Sequence, residues 1–204
     1  MNTSYNTQRQ SVVTQAGFTL IELLVVIGIL VVISGVVLAS YSKFGGQLLL
    51  RNLAYDVALS IRQAQVYGIS ARSFLGAEFA SGHGAYFNLA DPAVSDTAFF
   101  LYTDVDTNGF FTSASTEWVE TFSIGRGYTI DRICVPSGAS ESCGITQLDV
   151  LFRRPEPDAI IRASTGGAFT TYDRVRIVLE SPQEKKLSVL IETTGQISVQ
   201  RYVE

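Results

Sequence analysis

The sequence predicts an α+β protein in which a long apolar helix at the N-terminus continues into an amphipathic helix packed on an antiparallel β-sheet. Residues 18–39 form an almost unbroken apolar run, and the apolar residues after it recur at helical spacing. Residues 174–199 show the alternation of strands, broken by turn residues. The predicted division is 1–17 as a leader, 18–39 as a membrane helix, 40–72 as its amphipathic continuation, and 73–204 as a β-rich part.

The apolar run reads FTLIELLVVIGILVVISGVVLA and is long enough to cross a membrane. As a helix it would measure about 33 Å, slightly more than a hydrocarbon core. A cleaved secretory signal has a shorter apolar stretch followed by a small-x-small site, so we interpret the run as a retained anchor. Arg9 lies before it and Lys43 and Arg51 after it, which leaves the orientation undetermined by charge.

Glu22 is the one ionisable residue in this run. A carboxylate in a membrane helix costs a few kcal/mol on insertion scales, so it indicates a function. Cleavage between Gly17 and Phe18 would place a new α-amino group one helical turn before Glu22. That carboxylate could then pair with the amine of a neighbouring copy, cancelling two buried charges and setting an axial offset between subunits.

The segment from Gly17 to Val26, GFTLIELLVV, resembles the processing signal of type IV prepilins and type II secretion pseudopilins. The resemblance implies that a prepilin peptidase cuts after Gly17 and N-methylates Phe18, and that Glu22 serves subunit assembly. It also implies a pilin-like fold. The leader, 1–17, is polar and has no acidic residue, which agrees with this family.

The same resemblance implies a set of partners and a location. The partners would be the prepilin peptidase, an inner-membrane assembly platform, and other pilins or pseudopilins in a filament. The chain would first be a single-pass protein of the cytoplasmic membrane with its domain exported. It would then lie in a pilus or pseudopilus, in the periplasm or at the cell surface.

The amphipathic segment is expected to pack on the domain's own sheet through one apolar stripe. The residues predicted to form the stripe are Leu49, Leu53, Val57, Ile61, Ala64 and Gly68. Residues 51–71 and 174–199 are also similar to the pseudopilin H and minor pilin T group, more weakly than the N-terminal motif. Residues 174–199 predict three strands of an antiparallel meander with one apolar face.

Cys134 and Cys143 are the two cysteines of the chain, and they lie close in sequence. No cluster of further cysteine or histidine residues completes a metal site around them. If the domain is exported, a disulfide that closes a small loop is the simpler interpretation.

An acidic segment, DVDTNG, resembles the first half of a calcium loop, with oxygen side chains at Asp104, Asp106 and Asn108 before a glycine. The complete loop would have a glutamate where Ser115 stands. Glu117 and Glu120 lie nearby and would serve only in a loop of different shape. The alternative is a polar hairpin turn, for which Asp and Asn-Gly are favoured by their backbone preferences. Calcium in related pseudopilins adds to the first interpretation.

These observations favour a structural subunit, a minor pilin or a pseudopilin. The alternative is a binding module, tethered to the membrane or placed at a filament tip, for DNA, a surface or a secreted protein. A net charge of −4 and acidic residues interspersed among the arginines disfavour nucleic acid. The single histidine, His83, is expected at the surface, and the sequence has no nucleophile motif or phosphate loop, so an enzyme is not expected.

Overall fold

The computed structural model describes most of the 204-residue chain. The described ranges are 17–70, 82–91 and 95–202, with the backbone alone for 39–45. All but the last residue of the predicted leader, and the predicted end of the amphipathic segment at 71–72, lie outside these ranges. The chain divides into two compact units, Met1–Lys43 and Phe44–Glu204, and each is described by itself.

The described residues form an α+β arrangement, which confirms the predicted fold class. They comprise one α-helix, one 3-10 helix and eleven strands. The elements are α1 (Leu20–Ile69), β1 (His83–Asn88), the 3-10 helix (Ser95–Thr97), β2 (Ala98–Thr103), β3 (Trp118–Ser123), β4 (Thr129–Ser137), β5 (Ser140–Ile145), β6 (Gln147–Phe152), β7 (Ala159–Ser164), β8 (Thr170–Tyr172), β9 (Arg174–Glu180), β10 (Lys186–Glu192) and β11 (Ile197–Arg201).

The first unit contains the N-terminal part of α1. Its segment Leu20–Leu38 is long and apolar enough to cross a membrane, with a mean hydropathy of 3.0. None of that segment is buried within the chain. Apolar side chains that find no partner in their own chain need lipid or another protein around them.

In the second unit, α1 buries one face of its amphipathic segment. The buried residues with apolar side chains are Leu50, Ala54, Val57, Ile61 and Ala64. The predicted stripe is therefore right at its C-terminal end and wrong at its start, where Leu49 is 38% exposed. Repeated steps of four advance about 40° each in a helix with 3.6 residues per turn, so Leu49 lies about 120° around from Ile61.

The opposite face of this segment is also apolar, but it is exposed. Its large side chains are Leu48, Tyr55, Leu59, Val66 and Ile69. Their spacing of three, four and seven residues places them on one side of the helix. Large apolar side chains therefore lie on two faces of the amphipathic segment, and the described residues of the domain cover only one of these faces.

Two antiparallel sheets complete the second unit. The six-stranded sheet has the order β3-β2-β1-β6-β7-β8, and the five-stranded sheet has the order β11-β10-β9-β4-β5. The predicted C-terminal meander is confirmed as β9, β10 and β11, in which Val189 pairs with Ile177 on one side and Val199 on the other. One cluster of buried apolar side chains joins the helix to both sheets.

Three close contacts fix the helix on the sheets. Gln65 Nε2, which is buried, donates to the carbonyl oxygens of Pro157 and Gly195, at 2.9 and 3.0 Å. Gly68 lies directly against β6, where a Cβ atom would stand 2.3 Å from the carbonyl oxygen of Phe152. The absence of a side chain at Gly68 therefore sets how near the helix approaches the sheet.

Candidate functional site

The predicted processing segment lies immediately before the first turn of α1. Gly17, Phe18 and Thr19 precede the helix, which begins at Leu20. Phe18 is 82% exposed, Gly17 and Glu22 are also exposed, and nothing lies within 4 Å of a Cβ atom built on Gly17. Among the described residues, no contact of the folded chain closes off the Gly17–Phe18 peptide bond.

Thr19 caps the helix, a feature that the sequence analysis missed. Its Oγ1 accepts a hydrogen bond from the backbone N–H of Glu22 at 3.3 Å. Thr19 and Glu22 stand in the Thr-x-x-Glu pattern of a capping box, in which the glutamate can also bind the cap residue's N–H. Glu22 therefore has a second possible role, in local helix capping, that must be separated from a role in assembly.

A second candidate site lies in the loop between β2 and β3. Asp104 follows the end of β2, Asp106 lies two residues further on, and Glu117 immediately precedes β3. One carboxylate oxygen from each of the three lies within 4.8 Å of the others. Asp104 and Glu117 are buried, at 1% and 2% exposure, whereas Asp106 is exposed.

Each of the two buried carboxylates has one oxygen held by the loop and one without a partner. Asp104 Oδ2 accepts from the N–H of Gly109 at 2.9 Å, and Glu117 Oε2 accepts from the N–H of Thr112 at 2.6 Å. The other oxygens, Asp104 Oδ1 and Glu117 Oε1, are buried and receive no hydrogen bond from any residue in the ranges that the structure describes. Burial without compensation is costly for a carboxylate, so these two atoms indicate that something is missing.

The electrostatics of the cluster follow from burial and from the nearness of like charges. Burial raises the pKa of Asp104 to about 6, against the lowering effect of the Gly109 N–H, and Asp106 and Glu117 raise it further. Burial also raises the pKa of Glu117. At Asp106, desolvation is outweighed by hydrogen bonds, first that from Asn108 N–H, and the pKa falls below its usual value.

The loop is anchored to the six-stranded sheet by Phe111. Its N–H donates to Asp149 Oδ2 on β6 at 2.8 Å, and Asp149 Oδ1 accepts from the Tyr102 hydroxyl at 2.5 Å. The Phe111 ring stacks on Tyr86 with a centroid distance of 4.7 Å and meets Tyr102 edge-on at 5.4 Å. The backbone that carries the carboxylates is thus held by a buried residue from another strand.

Of the residues predicted to bind calcium, Asp104 and Asp106 come together. Asn108 lies beside Asp106, but its Nδ2 donates to Asp106 Oδ2 and its Oδ1 accepts from Phe110 N–H at 2.9 Å. Glu117 occupies the place in the cluster that the sequence pattern assigned to a residue two positions earlier. The position of Glu117 near the acidic segment makes it a candidate ligand, but the sequence does not specify the loop shape that brings it into the cluster.

The predicted disulfide is confirmed. Cys134 on β4 and Cys143 on β5 are bonded across the β4–β5 hairpin, at the edge of the five-stranded sheet. Cys134 is buried and Cys143 is half-buried. The expectation for His83 is wrong: it is only 3% exposed at the start of β1, where its ring meets Tyr67 edge-on at 5.8 Å.

Comparison with known proteins identifies the N-terminal segment. Residues 14–38 match the family model of the prokaryotic N-terminal methylation motif. Searches of characterised proteins and of solved structures give no match to this chain. The motif supports a type IV pilin-like protein that is made as a membrane-anchored precursor, processed by a prepilin peptidase and assembled with other pilins. It indicates a structural subunit.

Proposed function

We propose that this protein is a minor pilin or pseudopilin, a subunit of a type IV pilus or of a type II secretion pseudopilus. The prepilin peptidase cleaves after Gly17 and methylates the new N-terminus at Phe18, and the subunit assembles through its N-terminal helix. The observation that carries the proposal is the methylation motif, placed on an unburied apolar helix with a single carboxylate, Glu22. The finer assignment, to the pseudopilin H and minor pilin T group, rests on the similarity of residues 51–71 and 174–199.

Assembly transfers the apolar segment from lipid into the filament. In the membrane its side chains contact acyl chains, and in the filament they contact the corresponding segments of other subunits, so the exchange is nearly neutral in hydrophobic terms. The free-energy difference between the membrane and the filament therefore depends mainly on the charged groups of the segment. An unpaired Glu22 is costly in lipid, and the α-amino group of Phe18 in the next subunit removes that cost by forming an ion pair.

The first experiment is quantitative mass spectrometry of surface filaments sheared from the native cells, with the N-terminal peptide included. We expect a peptide that begins at methylated Phe18, at trace levels beside a dominant pilin. The same peptide found only in membranes would favour the pseudopilus over the pilus. A chain that keeps its leader in cells with an active prepilin peptidase would refute the proposal.

The role of Glu22 is tested separately with two substitutions. Glu22→Gln keeps the capacity to complete a capping box but has no charge, and Glu22→Ala has neither. We expect both variants to insert and to be cleaved normally, and both to enter filaments at less than about a tenth of the wild-type level, as a lost ion pair of a few kcal/mol implies. The control is Thr19→Ala, which removes the observed cap and keeps the charge. Normal incorporation of Glu22→Gln would refute pairing.

A second candidate is a binding module at a filament tip or on the membrane. One observation favours it: a groove of about 650 Å³ lies beside β10 and β11, and its lining includes Arg51, Lys185 and Arg201. Lys186 also lines the groove, but it is paired with Asp131 and Glu180. Such a groove suits an anionic partner. If it binds one, replacing Arg51, Lys185 and Arg201 by Gln should abolish binding by intact filaments and leave incorporation unchanged. Loss of incorporation instead would assign the groove to assembly.

A further inference from the structure

The two unpartnered oxygens of the β2–β3 loop require an explanation. Asp104 and Glu117 are both almost fully buried, and among the described residues no donor group binds Asp104 Oδ1 or Glu117 Oε1. Among the described residues, neither they nor Asp106 forms an ion pair with an arginine or lysine. Buried carboxylates are otherwise paired with a cation or coordinate a metal.

The fold, and not merely a high content of acidic residues in the loop, brings these three side chains together. Glu117 lies thirteen residues after Asp104 in the chain, yet the two carboxylates converge with Asp106 to within 4.8 Å. The backbone on each side is connected as well, since Thr103 N–H donates to the Glu117 carbonyl at 2.8 Å. Repulsion would separate three ionised carboxylates unless a cation or shared protons lay between them.

We propose that Asp104, Asp106 and Glu117 bind a divalent cation, and that this cation is calcium. All three ligands are carboxylate oxygens, which are the ligands that hard cations prefer. Calcium tolerates irregular coordination by oxygen ligands, whereas magnesium requires a strict octahedron, so an irregular loop with three carboxylates suits calcium better. Because Asp104 directly follows β2 and Glu117 directly precedes β3, the ion would join the two ends of the loop.

The proposal is independent of the filament function. A cation that links both ends of the loop should raise the thermal stability of the domain whether or not the chain assembles. For an exported domain, the relevant range is that of extracellular calcium modules, with Kd on the order of 10⁻⁴–10⁻³ M.

The test uses the full-length protein in detergent, freed of metal with a chelator and then titrated with calcium chloride. Two properties are measured: the midpoint of thermal unfolding, and sensitised emission of terbium, a calcium substitute. Trp118 is the chain's single tryptophan and directly follows Glu117, so it should transfer excitation to a bound ion. We expect saturable binding, competition between calcium and terbium, and a midpoint about 3–5 °C higher at tenfold excess over Kd.

Matched substitutions assign the ligands. Glu117→Gln and Asp104→Asn each remove one negative charge and should weaken calcium binding at least about tenfold, since affinity follows ligand charge. Glu120→Gln makes the same change at an exposed position of β3 and should leave Kd within about twofold of the wild type. In chelator, both ligand variants should unfold at or above the wild-type midpoint, because a neutral amide relieves repulsion among the carboxylates.

Three outcomes would overturn the proposal. No saturable response up to about 10 mM calcium, beyond the range of extracellular modules, would mean that protons and not a cation occupy the cluster. An equal loss of affinity in Glu120→Gln would indicate general attraction to an acidic surface. An equal shift with magnesium would contradict the assignment to calcium.

Discussion

Gly68→Ala should destabilise the domain, although the same substitution in a free helix is stabilising. Alanine is favoured over glycine inside a helix by about 1 kcal/mol. At this position, however, the new Cβ atom would stand 2.3 Å from the carbonyl oxygen of Phe152, a fully buried residue of β6. Ordinary contact begins near 3.4 Å, so the helix or the strand must move by about 1.1 Å.

The size of the effect follows from what must move. Phe152 lies in an inner strand of the six-stranded sheet, so relaxation displaces packed backbone and not a side-chain end. Overpacking of this kind costs about 1–3 kcal/mol, which leaves a net loss of up to about 2 kcal/mol after the gain in helix propensity. For a domain of this size, the midpoint of thermal unfolding should therefore fall by up to about 4–8 °C.

The matched control is Gly46→Ala, in the same helix. A Cβ atom at Gly46 would also be close to its neighbour, at 2.6 Å, but that neighbour is Oε1 of Gln183, the end of an exposed side chain. Gln183 can turn away, so the midpoint should stay level or rise by up to about 3 °C. Circular dichroism of both full-length variants in detergent measures the difference. If Gly68→Ala unfolds at or above the Gly46→Ala midpoint, the close approach of helix and sheet is wrong.

Two further predictions concern the domain. Replacing Cys134 and Cys143 by Ser opens a short loop and should lower the free energy of unfolding, measured by urea denaturation, by about 2.5 kcal/mol relative to the disulfide-bonded wild type in the chain-entropy account. Wild type treated with reductant should match the double variant. Burial raises the pKa of Asp149 to about 6, with Asp104 raising it and Arg162 lowering it. The folded state therefore holds this proton more tightly than the unfolded chain does. The protonated carboxyl contributes up to about 3 kcal/mol of stability, which is fully present below about pH 4 and is lost as the pH rises through about 6. In chelator, Asp149→Asn should flatten this part of the pH profile, and an unchanged profile would show that another group is responsible.

The N-terminal motif and its helix were predictable because the information is local. The apolar run can be recognised without reference to the rest of the chain, and so can the order of Gly17, Phe18 and Glu22. The meander of β9, β10 and β11 was equally accessible, because successive strands that pair with their neighbours keep their alternation and turns in sequence order.

The strand order of the six-stranded sheet and the shape of the acidic loop were not predictable, because both depend on contacts between distant parts of the chain. In the six-stranded sheet, β6 inserts between β1 and β7, and no local pattern specifies that order. The acidic loop takes its shape from Phe111, whose anchor, Asp149, lies 38 residues away in β6. For this reason the spacing of Asp104 and Asp106 predicts that they lie together, whereas the place of Glu117 in the cluster depends on the folded loop.

The amphipathic segment of α1 connects the fold to the proposed filament. Its buried face is fixed by Gln65 and Gly68, so the helix cannot rotate to hide its other side without losing those contacts. That other side carries five large apolar residues, from Leu48 to Ile69, which are exposed by 36% to 64%. A neighbouring surface that covered them would contribute roughly 1 kcal/mol for each side chain at about 25 cal/mol per Å². The described residues of the domain thus leave a row of large apolar side chains exposed, and a neighbouring subunit that buried them would stabilise the filament.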